Sequence, residues 1–415
     1  MGSSLKRSVE WVTAFATVFS LYAHTAFDLP SSVVTPISAA VIAGGLFILA
    51  LLSISTVRLD LGTSALRELS TICLIVALFG FGLSTVWGMG ERQLTLNDLG
   101  LLGIQVGVPI LLWFMRSRTE FINSLLWVCI GFALMDAVAN VFAWRGLIDL
   151  PTLSGRTDAL DPTGYRVRYP GLTGNTHAGG LVAMLAICAL SCRLYRAKIF
   201  GRLVYLALIA VVFVSLDLID ARRYLGMAAV GFVVIAIPLF WRVPPILTIA
   251  GIAGSAVYAA FTNFFDYEDD LRGRLMTDGW QYASQMPFLG QGVFYRDLTG
   301  IRPDYASLSS AGVTESGILD LALSYGVAST VIFVLAAIFG VSARRSFQAV
   351  PVVLVTLLTA ELAFGDSLTG FLGSVAFFAC LVWVQRDEVG DAIRGDDDRR
   401  AGRTDDPQDL REGSA

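Results

Sequence analysis

Residues 69–87 read LSTICLIVALFGFGLSTVW, and this stretch decides the fold class. It contains nineteen residues and no charged side chain, and a helix needs roughly 20 apolar residues to cross the hydrocarbon core of a bilayer. Similar runs recur along the 415-residue chain, which is 55% hydrophobic and 15% charged, whereas a soluble domain carries about 25% charged residues. A membrane β-barrel would instead show alternating segments of about ten residues. The sequence therefore predicts an all-α polytopic membrane protein.

The apolar runs predict about twelve transmembrane helices. The first run, Val9 to Phe27, is long and lacks a small-residue cleavage motif, so we expect it to be a span rather than a cleaved signal peptide. The predicted spans are 9–27, 33–53, 69–87, 98–115, 120–142, 175–192, 202–217, 224–241, 243–261, 315–340, 350–365 and 368–385.

Lysine and arginine are concentrated in alternate loops, which the positive-inside rule assigns to the cytoplasm. The set comprises Lys6, Arg7, Arg58, Arg67, Arg116, Arg118, Arg193, Arg196, Lys198, Arg202, Arg242, Arg344, Arg345 and Arg386. Both termini are then cytoplasmic, and the two long loops, 143–174 and 262–314, are extracytoplasmic. Residues 1–386 form the predicted transmembrane domain. Residues 387–415 lack apolar periodicity and predict a disordered acidic cytoplasmic tail.

The second long loop, 262–314, is the largest polar stretch between predicted spans. A connection of about fifty residues is too long for a simple turn, and loops of that length are usually functional or disordered. It contains several aromatic residues and the turn PFLGQG at residues 287–292. This composition favours a packed lid with short helices, and the lid leads directly into Glu315.

Arginines gather at the predicted outer ends of spans, against the topological rule. They are Arg166, Arg168, Arg222, Arg223, Arg272 and Arg274. A guanidinium is permanently charged and binds phosphate oxygens in a bidentate fork, so this set suits a diphosphate at headgroup depth. The alternative is that the arginines pair with Asp217, Asp220, Asp269 and Asp270 and only extend toward the interface.

Polar residues also open two of the spans that follow the long loops. Asn175 and His177 lie at the top of one span, where they could contact a sugar or simply cap the helix. Glu315 and Ser316 open the other. Glu315 is a candidate general base or substrate anchor, and the alternative is that it stabilises the helix dipole. The five cysteines include no CxxC pair, and Cys188 and Cys192 are interpreted as packing residues.

Four motifs occur in a characteristic order. They are Arg168-x-x-Gly171-x-x-x-Asn175, Ala221-Arg222, Pro287-x-x-Gly290-x-Gly292 and Glu315-Ser316-x9-Gly326. Over residues 160–330 the chain thereby resembles the O-antigen ligase and polymerase superfamily of bacterial membrane glycosyltransferases.

The resemblance implies a metal-independent, multi-pass enzyme of the bacterial plasma (inner) membrane, with its active site facing the periplasm. It would move a glycan from an undecaprenyl-diphosphate carrier to an acceptor sugar. Arg168, Arg222 and either Arg272 or Arg274 would bind the diphosphate, with Arg223 as a further candidate; counting back from Pro287 favours Arg272. Glu315 would be catalytic together with Arg222, and Asn175, His177 and Ser316 would contact the glycan.

Ligases of this superfamily carry a His-Asn type pair where this chain has Glu315-Ser316, so the resemblance favours a polysaccharide polymerase over a ligase that joins polymer to lipid A core. The expected partners are the carrier-linked donor, the glycan acceptor and the lipid bilayer, and the candidate protein partners are a chain-length regulator and a flippase. No cofactor, metal or nucleic acid is expected. A transporter is the main rival, and it would need charged or helix-breaking positions near mid-membrane. The acids within spans are few, Asp136 and Glu361, and Glu361 is the one that would support a transporter.

Overall fold

The structure is a computed structural model. It describes residues 2–26, 31–54, 65–89, 100, 102–115, 118–150, 169, 171–219, 221–237, 279–292, 316–344, 350–362 and 371–386. Within these ranges all regular secondary structure is helical, which confirms the predicted all-α class. The predicted span 243–261, the tail 387–415 and most of both long loops lie outside these ranges.

The helices follow the apolar runs closely. They are α1 (Gly2–Ala26), α2 (Ser31–Ile54), α3 (Ala65–Gly88), α4 (Val108–Phe114), α5 (Arg118–Trp144), α6 (Thr176–Arg196), α7 (Ile199–Ile219), α8 (Arg222–Ala236), α9 (Gly317–Tyr325), α10 (Val327–Ser342), α11 (Val350–Glu361) and α12 (Phe371–Arg386). A π-helical turn, Gly103–Gly107, leads into α4, and a 3-10 turn, Gly171–Thr173, precedes α6.

Four helices in the described ranges are long and apolar enough to cross a membrane. They cover Ala65–Gly88, Thr119–Trp144, Thr176–Tyr195 and Ile199–Ile219. This finding supports a membrane protein, while the count of twelve spans and the orientation stay predictions.

Helix α6 is surrounded by other helices. It packs against α5, α7 and α8, and every residue from 179 to 191 is buried. Helices α3 and α7 instead leave large apolar side chains exposed, among them Ile75 and Phe79 on α3 and Phe200 and Leu203 on α7. Such stripes suit contact with lipid, where exposed apolar surface carries no hydration cost.

The predicted single span 315–340 is wrong in one respect, because the helix breaks at Gly326 into α9 and α10. Gly326 has φ +85°, a conformation that L side chains rarely adopt. Residues of the second long loop satisfy the backbone groups at the break. The N–H groups of Val327 and Ala328 donate to the carbonyl oxygens of Met286 (3.3 Å) and Pro287 (2.9 Å). Broken helices are tolerated within membrane domains when protein satisfies their backbone in this way.

The PFLGQG turn fits between α3, α9 and α10 because its glycines lack side chains. A Cβ at Gly290 would lie 2.4 Å from the carbonyl carbon of Ser324, and one at Gly292 would lie 2.6 Å from the Cα of Thr85. Ser84 joins the three elements, since its hydroxyl donates to the Tyr325 carbonyl (3.1 Å) and accepts from the Gly290 N–H (3.3 Å). The middle of the loop is therefore docked onto the helical domain.

Candidate functional site

The start of α8 carries the arginine pair Arg222-Arg223. Its N-cap residue, Ala221, provides no side-chain hydrogen bond, and the first turn of α8 contains no acid. Two cations at a helix N-terminus oppose the helix dipole, which favours negative charge at that end. A nearby anion would therefore stabilise this end of α8.

Glu361, the last residue of α11, supplies negative charge to Arg223. Its Oε1 lies 3.5 Å from the Arg223 Nη2, and the exposed fractions of the two side chains are 0% for Glu361 and 22% for Arg223. Tyr224 bridges the pair, because its hydroxyl accepts from the Arg223 Nη2 (3.3 Å) and donates to the Glu361 Oε1 (3.2 Å). The Arg223 guanidinium also lies 4.9 Å from the centroid of the Tyr224 ring. Glu361 thus lies at a helix end and has a partner, whereas the predicted span 350–365 placed it within a transmembrane helix.

The start of α9 bonds to the same end of α11. The Ile318 N–H donates to the carbonyl oxygen of Leu362 (2.9 Å), and Leu362 directly follows Glu361. Ser316 is buried and caps α9, with its hydroxyl accepting from the Leu319 N–H at 3.5 Å. The structure therefore brings Ser316 and Arg223, predicted from separate parts of the sequence, to one helix end.

The turn before α6 is held by a carboxylate that the sequence analysis did not assign to the site. Asp136 of α5 is 2% exposed and accepts from the Tyr22 hydroxyl and from the Leu172 N–H, both at 2.8 Å. A Cβ at Gly171, which has φ +68°, would lie 2.6 Å from the Asp136 Oδ1. An acid within an apolar span is the sequence signal that marks this anchor.

Asn175 caps α6, which confirms the capping alternative for this residue. Its Oδ1 accepts from the N–H groups of His177 (2.8 Å) and Ala178 (3.3 Å). Both Asn175 and His177 are exposed, so their contact with a glycan stays a prediction.

Two close contacts connect the residues around this turn to α7 and to the start of α8. The Tyr169 N–H donates to the carbonyl of Leu218 in α7 (3.0 Å), four residues before Arg222. Gly180 of α6 allows the Tyr224 ring to approach, because a Cβ there would lie 2.4 Å from the Tyr224 Cδ2. Tyr169 and Gly180 thus contact α7 and α8, and α8 is linked through Glu361 of α11 to the start of α9.

Several predicted site residues fall outside the part of the chain that the structure describes. These are Arg168, Arg272, Arg274, Glu315 and the side chain of Arg222. Within the described part, no group of three His, Cys, Asp or Glu side chains could hold a metal ion.

Comparison of the chain with protein-family models finds no match, and comparison with curated proteins finds none either. The superfamily resemblance therefore depends on the motifs and their order. Among the described residues, the start of α8 carries the partly exposed Arg223, which is paired with Glu361 and lies close to the start of α9 through the bond between Ile318 and Leu362.

Proposed function

We propose that the chain is a membrane glycosyltransferase that moves a glycan from an undecaprenyl-diphosphate carrier to an acceptor sugar at the outer face of the bacterial plasma membrane. We favour a polysaccharide polymerase, because Glu315-Ser316 replaces the His-Asn type pair of the ligases that the chain resembles. The observation that carries the proposal is Arg223 at the start of α8, joined through Glu361 and Leu362 of α11 to the start of α9 and directly preceded in the sequence by a second arginine, Arg222.

A diphosphate suits the start of α8 for two reasons. Helix N-termini bind anions through their N–H groups and the helix dipole, and arginine adds charge and bidentate hydrogen bonds. Ala221 offers no capping side chain, so a bound anion would also satisfy backbone donors of the first turn. Arg223 is 22% exposed despite its pair with the buried Glu361, which supports a boundary site between protein interior and outer surface.

In the proposed reaction, the bond between the glycan C1 and the carrier diphosphate oxygen breaks, and C1 forms a new bond to the acceptor hydroxyl oxygen. Undecaprenyl diphosphate leaves with the electron pair of the broken bond. Arg222, with Arg168 and Arg272 or Arg274, neutralises the charge that develops on it. Glu315 accepts the proton of the acceptor hydroxyl, and the 262–314 loop covers the sugars. No step requires a metal.

A transporter is the second candidate, and the break between α9 and α10 is the observation that favours it. Discontinuous helices form the substrate and ion sites of many transporters. At this break, however, Val327 and Ala328 donate their N–H groups to the 286–287 segment. Glu361, an acid that could have coupled transport to ions, is paired with Arg223. The proposal of an enzyme is therefore preferred.

A strain that lacks the gene tests the proposal through its glycan profile. A polymerase predicts single repeats that stay linked to the carrier, whereas a ligase predicts full-length polymer left on the carrier. An unchanged profile on both sides of the membrane would contradict either enzyme, and carrier-linked glycan that accumulates only inside would favour a transporter.

Point variants test the residue roles in the same strain. Arg222→Ala and Glu315→Gln should abolish chain extension while the protein stays at normal abundance in the membrane. Arg145→Ala and Glu120→Gln are matched controls, because both residues are exposed at the ends of α5, and they should restore the full profile. Wild-type extension by both test variants would refute the assignment.

A further inference from the structure

We propose that Glu361 is a positioning residue of the diphosphate site. Glu361 holds Arg223 at the start of α8 and fixes α8 relative to the start of α9. This inference depends on the proposed function and adds a residue that neither the motifs nor the resemblance assigned. Glu361 is not expected to touch the substrate, since its side chain is completely buried.

The Glu361 carboxylate is costly to bury without partners. An isolated buried charge is strongly disfavoured unless it is paired and hydrogen-bonded. The carboxylate of Glu361 has both kinds of partner, the Arg223 guanidinium at 3.5 Å and the Tyr224 hydroxyl at 3.2 Å. Movement of Arg223 away from Glu361 would leave this charge uncompensated, so the pair restricts where the first turn of α8 can lie.

The Tyr224 bridge holds the ion pair in place. The Tyr224 side chain is 1% exposed, and Gly180 of α6 leaves just enough room for its ring. Its hydroxyl contacts both members of the ion pair. The pair is therefore held from α6 as well as from α11, which leaves little freedom for alternative geometries.

The same end of α11 is also linked to α9. The residue after Glu361, Leu362, still bonds within its helix, since its N–H donates to the Leu358 carbonyl (3.3 Å), and its own carbonyl accepts from Ile318 (2.9 Å). Two adjacent residues of one helix end thus hold the starts of α8 and α9. A shift of this end would change the separation between Arg223 and Ser316, and a misplacement of about 1 Å can reduce a reaction rate about 100-fold.

The test uses the full-length protein in lipid vesicles, with carrier-linked glycan extracted from the deletion strain as the donor. Glu361→Gln keeps the size of the side chain and an oxygen that can accept from Tyr224, but removes the charge. We expect kcat to fall about 10- to 100-fold, with KM for the donor unchanged or lower, because Arg223 keeps its charge. Glu361→Asp, which keeps the charge, should recover part of the lost rate.

A double variant tests whether Glu361 acts through Arg223. If it does, Arg223→Ala combined with Glu361→Gln should be no slower than Arg223→Ala alone, since coupled residues are not additive. Glu10→Gln is the matched control. It also removes a buried carboxylate, since Glu10 is 4% exposed. Glu10 lies twelve residues before Tyr22 in α1, about 18 Å along the helix from the place where Tyr22 contacts Asp136. It should keep the wild-type rate.

Three results would overturn the inference while wild-type protein remains active. They are an unchanged kcat in Glu361→Gln, a raised KM with normal kcat, which would indicate direct contact with the donor, and additive losses in the double variant. If Glu361→Gln fails to insert, kcat and KM of Glu361→Asp and of Arg223→Lys are measured in its place. A lowered kcat with an unchanged KM then supports the inference, and an unchanged kcat or a raised KM overturns it. Wild-type protein that transfers no glycan would refute the proposed function itself, and the positioning role with it.

Discussion

Replacement of Gly326 by alanine should release the middle of the second long loop from the helical domain. Gly326 has φ +85° and ψ 154°, a region populated almost solely by glycine, and a side chain held there costs about 1–3 kcal/mol. The added Cβ would also lie 2.6 Å from both the carbonyl carbon and the oxygen of Phe288. Neither contact can be relieved by rotating a side chain, because both atoms belong to the backbone.

The 286–291 segment must therefore shift, and its hydrogen bonds to Val327, Ala328 and Leu323 (3.3, 2.9 and 3.0 Å) are at risk. Each such bond contributes about 1 kcal/mol net. Loss of one or two of them, added to the backbone strain, gives about 2–5 kcal/mol of destabilisation in total.

The matched control is Gly82→Ala in α3, where a new Cβ would meet no atom within 4 Å. Thermal unfolding in detergent should show a lower midpoint for Gly326→Ala, and limited proteolysis should cut near residues 286–292. Gly82→Ala should behave like wild type in both assays. If Gly326→Ala matches Gly82→Ala in midpoint and in protease resistance, the loop is not docked at this break.

Two further substitutions test the anchors of the turn before α6. Asp136→Asn leaves one oxygen to accept bonds now made to Tyr22 and Leu172, so it should lower stability by about 1–3 kcal/mol. Tyr22→Phe should cost less, about 1 kcal/mol, and equal midpoints for these two variants would argue against Asp136 as the anchor. Asn175→Ala should lose about 1 kcal/mol of helix capping, which Asn175→Asp should restore in a thermal melt. A glycan role for Asn175 predicts that Asn175→Asp still loses transfer activity, and full activity would remove that role.

The all-α class follows from local sequence, because uncharged apolar runs as long as 69–87 usually form transmembrane helices. The cap at Asn175 is equally local, because a side-chain oxygen before a helix accepts from N–H groups two and three residues later. Both features depend on neighbouring residues alone.

The break at Gly326 could not be found in this way. Its residues continue an apolar run, and the groups that satisfy the broken backbone come from residues 286–287, in a separate part of the chain. A glycine inside an apolar run is also common in uninterrupted membrane helices.

The residues that pair at the candidate site are separated by even longer stretches of the chain. Tyr22 and Asp136 are 114 residues apart, and Tyr224 and Glu361 are 137 apart. Sequence shows that acids within spans need partners, but tertiary packing chooses the partner. For this reason Glu361 favours a transporter when considered alone and supports an enzyme site once Arg223 is beside it.

Glycan transfer by the purified protein is tested most directly by measuring two products of one reaction. Purified wild-type protein in lipid vesicles receives undecaprenyl-diphosphate-linked glycan from the deletion strain, without added metal. The proposed reaction predicts release of free undecaprenyl diphosphate in step with growth of the glycan, and neither product with Arg222→Ala. Wild-type protein that releases no undecaprenyl diphosphate and lengthens no glycan, while remaining folded in the vesicles, would refute glycan transfer by this protein.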